Sequence, residues 1–153
     1  RDAHVAHVPP MLHARRRGGP VRVLVIAGLD GGTLAMPELA DIGVTHSGRG
    51  YQPYPISHWG AEWWDGWKDG DAPRYPGVLY EGRRWDRDAL RAVYEPWRAV
   101  ERMGTRIHIG EFGCYRHTPN DDAIRWFTDL FGLFREFGRG HGRLPSRTGH
   151  AES

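Results

Sequence analysis

A single carboxylate stands out in this 153-residue sequence. In Ile109-Gly-Glu-Phe-Gly113 the acid Glu111 follows a short β-branched run and is bracketed by glycines. A carboxylate at the C-terminal end of a buried strand projects toward the rim where α/β barrels gather their chemistry, and flanking glycines let backbone and ligand approach closely. The plainer alternative is a glutamate that ends a strand and pairs with a nearby arginine. The local residues leave both readings open.

The second feature is aromatic. Four of the seven tryptophans (Trp59, Trp63, Trp64 and Trp67) fall within one polar, glycine-rich stretch. Flat rings on a polar loop suit either packing beneath that loop or stacking on the apolar faces of sugar rings. Metal chemistry has no comparable signal: His46, His58, His108 and His117 show no established ligand spacing, and no cysteine pair supports them. Cys114 is the single cysteine, so it has no partner for an internal disulfide and reads as a small buried hydrophobe. Gly28 to Thr33 is neither a Walker loop nor a dinucleotide fingerprint, and Glu111-Phe-Gly lacks the other kinase signatures. No cofactor is expected.

The elements that must position these residues follow from periodicity. Val21 to Ile26 reads as a strand buried on both faces and stopped by Gly28. Pro37 to Asp41 has room for about one helical turn. Gly43 to Ser47 reads as a weaker strand running into Arg49, Gly50 and Tyr51. Gln52 to Arg84 is far longer than an ordinary connection and too aromatic for disorder. Asp86 caps a helix whose Leu90, Val93, Trp97 and Val100 repeat at helical spacing until Gly104. Arg106 to Glu111 reads as a third strand, with Ile107 and Ile109 on one face and His108 on the other. Thr118 caps a second helix with Pro119 at its first position, and Ile124, Phe127, Phe131 and Phe134 line one face, flanked by Leu130 and Phe137, up to Gly138. Strands alternating with helices in this order make an α/β fold with parallel strands.

Composition excludes several classes. The chain is 39% hydrophobic and 26% charged, and no apolar run approaches the roughly 20 residues of a membrane span. The net charge is +2, with the basic excess in Arg15, Arg16, Arg17, Arg139, Arg143 and Arg147. These read as solvated ends rather than a nucleic-acid face. Neither a membrane nor a nucleic acid is expected as partner, and nothing in the residues assigns a compartment.

Ile107-His-Ile-Gly-Glu-Phe-Gly113 resembles the nucleophile segment of glycoside hydrolase family 5, the cellulase family. Ser47-Gly-Arg-Gly-Tyr-Gln-Pro53 and Ile56-Ser-His-Trp-Gly-Ala-Glu-Trp63 are similar, in the same order, to its sixth-strand stretch. The resemblance implies a partial (β/α)8 barrel, about strands five to seven with their helices, matched over residues 21 to 138. It implies Glu111 as nucleophile, Tyr51 as the residue that orients it, and Arg49, His58 and Trp63 as substrate contacts. Arg49 stands where the family usually has histidine, and His58 could equally be structural. The implied reaction is retaining hydrolysis of a β-linked glycan, with an oligo- or polysaccharide as partner.

Residues 1 to 153 then make an incomplete catalytic domain. The family's acid/base follows an Asn at the end of its fourth strand, and no Asn-Glu pair occurs here. The unpatterned residues 1–20 and 139–153 suggest truncated or frame-shifted ends. The isolated chain is therefore expected to be inactive and aggregation-prone, unless the missing N-terminal half of the barrel acts as its partner. The rival reading is a non-catalytic carbohydrate-binding protein that uses the Trp-rich loop.

Overall fold

Three parallel strands form the layer that carries Glu111. The computed structural model describes residues 23–68 and 70–139, so the expectations for residues 1–22 and 140–153 lie outside the described residues. β1 (Val25–Ala27), β2 (Thr45–Gly50) and β5 (Arg106–Phe112) lie side by side in that order, all parallel. Helices α1 (Arg87–Arg102) and α2 (Asn120–Arg139) form the layer against them. Two short strands, β3 (Leu79–Tyr80) and β4 (Arg83–Arg84), pair as an antiparallel hairpin inside the long loop. This is the α/β, parallel-sheet class that the sequence implies.

The sheet has two unlike faces. Ile107 and Ile109 of β5 pack against the core cluster that contains Trp97 of α1, and a Cβ on Gly48 would lie 3.1 Å from Ile109 and 3.3 Å from Trp97. Ser47 and His108, which are paired in register, lie on the other face, as strand alternation requires. That second face has no layer over it among the described residues. The expectation that the first strand is buried on both faces is therefore corrected: Val23 and Val25 are exposed. β1 is an edge strand with only one face covered.

Helix α1 forms where its pattern implies, with one change in the buried stripe: Tyr94 is buried and Val93 is only partly covered. Asp86 accepts a hydrogen bond from the Ala89 amide at 2.9 Å, satisfying one of the orphan donors of the first turn. Leu90, Tyr94, Trp97 and Val100 form its buried stripe, and Gly104, at φ 94°, turns the chain out of the helix into β5.

Helix α2 departs from expectation on two counts. Its buried stripe is Trp126, Leu130 and Leu133, while Ile124 and Phe131 are exposed and Phe127 and Phe134 are only partly covered. The helix carries two adjacent apolar rows, and the row at 126, 130 and 133 is the one turned into the core. Trp126 also donates to the Gln52 carbonyl at 3.0 Å, which anchors that row beneath the loop after β2. Thr118, the expected cap, directs its hydroxyl proton to the Ile56 carbonyl at 2.7 Å, joining the start of α2 to the same loop.

The long loop is held by polar anchors on α2. The Tyr75 amide donates to Asp122 at 2.8 Å, the Tyr75 hydroxyl to Asp129 at 2.9 Å, and Arg125 to the Tyr75 carbonyl at 2.6 Å. Burial alone would raise the Asp122 carboxyl; the Tyr75 amide and the Arg125 guanidinium outweigh it and hold the group below the usual carboxylate range. Gly132, inside α2, leaves room for Arg87, whose Nη1 lies 2.7 Å from where a Cβ would be. Arg87 there bonds both Asp129 and Glu136 and so clamps α1 to α2.

Two outcomes follow from this packing. Leu130→Ala should lower unfolding free energy by about 2–5 kcal/mol, and Ile124→Ala by about 0.5 kcal/mol or less, both measured by urea denaturation. Because the folded-state pKa of Asp122 is depressed, its contribution is complete above the unfolded value of about 3.9 and is lost as pH falls through the folded value. Asp122→Asn should therefore destabilise most at neutral pH, and the gap from the parent protein should narrow in titrations carried below about pH 4.

Candidate active site

The placement of Glu111 depends on a slip in strand register. β2 and β5 pair regularly from Thr45↔Arg106 to Gly48↔Ile109, and then Arg49 pairs with Glu111 rather than Gly110. In an unbroken ladder Glu111 would follow Ile109 onto the helix-covered face, because side chains alternate. The extra residue resets the alternation and turns Glu111 to the open face, beside Arg49. Gly110 is the inserted residue. A Cβ there would lie 2.5 Å from Ser47 Oγ and 3.2 Å from Arg49 Nη1, so only glycine fits without displacing them.

Two side chains from β2 and its C-terminal end meet the carboxylate. Arg49 Nη2 lies 3.2 Å from Glu111 Oε1, and the Tyr51 hydroxyl donates to Oε2 at 3.4 Å, long for such a bond. Arg49 is itself held by a 2.9 Å bond from Nη1 to Ser47 Oγ. Gly32 at φ 87° brings the loop after β1 so close that a Cβ would sit 2.7 Å from Arg49 Cγ. The carboxylate remains 56% exposed and the arginine 22%, so the pair lies at an accessible rim. Burial and the adjacent Glu111 push the Tyr51 phenol above its ordinary value, with Arg49 opposing, so Tyr51 stays a proton donor.

His58 and Trp63 lie next to this group. The His58 ring meets Tyr51 edge-on at 5.5 Å and Trp63 at 6.4 Å. Trp63 is 70% exposed, whereas Trp64 and Trp67 pack into the loop, with Trp67 donating to the Ala61 carbonyl at 2.9 Å. The loop's tryptophans thus divide, Trp64 and Trp67 packing within the loop while Trp63 presents its ring to solvent. All five residues singled out in sequence, Arg49, Tyr51, His58, Trp63 and Glu111, fall in one contiguous region. Among the described residues no group of three His, Cys, Asp or Glu side chains is placed to hold a metal ion.

Three contributors carried no assigned role in the sequence reading. Ser57 links the Tyr51 carbonyl to His58 Nδ1. Tyr115 packs its ring perpendicular to Trp63 at 5.0 Å, and its amide donates to the Ser57 carbonyl at 2.7 Å, joining the loop after β5 to the loop after β2. The hairpin β3–β4 brings Tyr80 against Tyr54 and Trp64. Its two-residue turn places Glu81 at φ 51° and Gly82 at φ 75°, a form that Asn-Gly or Asp-Gly signals more clearly than Glu-Gly does.

A solved structure described as "Crystal Structure of a glycoside hydrolase" is similar to this chain at 49% identity with a TM-score of 0.84, over 89% of this chain and 41% of that one. The chain thus spans less than half the length of the protein it matches. No protein-family model matches the chain, and no curated protein matches it. The region around Glu111 therefore lies in a chain similar in sequence and α/β fold to part of a glycoside hydrolase.

The Tyr51 environment gives a check that needs no substrate. In a spectrophotometric pH titration, the phenol signal lost in Tyr51→Phe should have a midpoint above the ordinary tyrosine value. Glu111→Gln should move that midpoint down, and Arg49→Ala should move it up.

Proposed function

We propose that this chain is the C-terminal part of a family 5-type glycoside hydrolase barrel, equivalent to strands five to seven, in which Glu111 is the nucleophile of a retaining reaction. The observation that carries the reading is the Glu111 carboxylate at the end of β5, turned to the open face and gripped by Arg49 and Tyr51. The likeness to a glycoside hydrolase supplies the class. Val23 and Val25 at one edge of the sheet, and Phe112 at the other, are exposed, as expected of a sheet that continues on both sides in a whole barrel.

In a double displacement the carboxylate attacks the anomeric carbon of a β-linked sugar while an acid protonates the leaving oxygen. Water, activated by that same acid/base, then releases the sugar. Arg49 and Tyr51 hold the Glu111 rotamer for the attack, and a preset rotamer lowers the cost of reaching the reactive geometry. Trp63 offers an exposed face for stacking, and His58 a polar contact to the sugar. The acid/base must stand about 5–5.5 Å from the nucleophile. In the family that the sequence resembles this residue follows an Asn at the end of the fourth strand, so on this reading the isolated chain is expected to be inactive and a polypeptide carrying the four preceding strands is its partner.

Trp63 exposure also favours a second reading, sugar binding without catalysis. The two separate in one experiment. Hydrolysis of an aryl β-glycoside should be undetectable with this chain alone and should appear on co-expression with a polypeptide supplying the four preceding strands and their acid/base. Glu111→Gln should abolish the restored activity by at least about a thousandfold. Restored hydrolysis that survives Glu111→Gln would remove the assigned nucleophile; sugar affinity that survives Glu111→Ala and is lost in Trp63→Ala, with no turnover in any form, would favour the binding protein.

A further inference from the structure

The hydrogen positions around His58 follow from two short contacts. Ser57 Oγ lies 2.5 Å from the Tyr51 carbonyl oxygen and 2.6 Å from His58 Nδ1. Two oxygens at the first separation need a proton between them, and a carbonyl has none to give, so the one hydroxyl proton of Ser57 is directed at Tyr51. Toward His58, Ser57 presents only lone pairs. The contact to Nδ1 is then a hydrogen bond only if Nδ1 carries the hydrogen.

The other ring nitrogen is thereby defined. Burial lowers the His58 pKa, which favours the neutral ring and leaves Nε2 as a bare acceptor. The groups packed around the ring are the uncharged Tyr51, Tyr54, Trp63 and Trp64. The charged pair Arg49–Glu111 lies beyond Tyr51. Among the described residues Nε2 has no hydrogen-bond partner, and it is not one of the sealed, unsatisfied polar atoms, which are His46 Nδ1 and Gln52 Oε1.

We propose that Ser57 is a positioning residue that fixes His58 in the Nδ1–H form, so that Nε2 meets a hydroxyl of a neutral sugar rather than a carboxylate of an acidic one. A bare ring nitrogen accepts a hydrogen bond from a hydroxyl and repels a carboxylate, so one buried serine selects the chemical class of sugar tolerated beside Glu111. The choice of ligand rests on the glycosidase reading; the choice of tautomer does not.

The test is 15N-edited NMR of the histidine side chains in the full 153-residue chain at neutral pH, with His58 assigned by its loss in His58→Gln. The expected result is a pyrrole-like Nδ1 and a pyridine-like Nε2. In Ser57→Ala the two signals should average or exchange character, and Ser57→Thr, which keeps the hydroxyl, should restore the parent pattern. A pyrrole-like Nε2 in the parent protein overturns the proposal, and this reading stands even if Ser57→Ala fails to fold. An unchanged pattern in a folded Ser57→Ala overturns the role of Ser57.

Titration with cellobiose should shift Nε2 upfield as it accepts a hydrogen bond, and titration with glucuronate should not. A shift with glucuronate alone, or with neither sugar, overturns the assignment of sugar class. Failure of the complemented protein to hydrolyse glycosides would instead count against the glycosidase reading, leaving the tautomer result intact.

Discussion

The pairing of β2 with β5, and its slip at Gly110, is the constraint on which the rest depends. Six residues of β2 are fixed against β5, and one inserted glycine moves Glu111 from the helix-covered face to the open one. Without that residue the carboxylate would point at Ile109's neighbours in the core, where an unpaired charge costs several kcal/mol. With it, the carboxylate meets a guanidinium and a phenol carried on β2 and its C-terminal end. The grouping of Glu111 with Arg49 and Tyr51 is therefore a property of two strands in register.

Packing on the far side of the sheet keeps that register in place. Gly48 lets Trp97 and Ile109 approach β2, and Gly50 does the same for Phe112, where a Cβ would sit 2.7 Å from that of Phe112. Behind these contacts the buried rings of Trp97 and Trp126 and the aliphatic Leu90, Leu130 and Leu133 form one core. The Arg87 bridges to Asp129 and Glu136 fix the two helices against each other, and the Tyr75 anchors fix the long loop to α2. The loop is held by its backbone as well as its rings. This explains how a long stretch rich in glycine and tryptophan keeps a defined shape and holds His58 and Trp63 beside β2.

Much of this was legible in the residues. The run Ile107-His-Ile-Gly-Glu111 alternates as a strand whose faces differ; Arg49, Tyr51, His58 and Trp63 were joined to Glu111 only by the resemblance to a known family, and the structure brings the five side chains into one region. The slip was not legible, because a glycine before a carboxylate fits a regular strand and a bulge equally well. The buried row of α2 was misread for a related reason: Ile124, Phe127, Phe131 and Phe134 repeat as well as Trp126, Leu130 and Leu133 do. Which row is buried depends on what lies opposite, and periodicity is silent on that. Val21 to Ile26 looked like a strand covered on both sides, whereas in the described strand Val25–Ala27 only one side is covered. The composition of such a strand reflects the layers it is built for, and the layer opposite the helices is absent from the described residues.

The central claim is that Glu111 forms the covalent bond to the sugar. The most direct measurement is mass spectrometry of the complemented protein after reaction with a 2-deoxy-2-fluoro β-glycoside, a reagent that arrests retaining enzymes at the glycosyl-enzyme stage. The account predicts one added sugar, mapped by fragmentation to Glu111 and absent in Glu111→Gln. A sugar found on another carboxylate, with Glu111 unmodified, would contradict it.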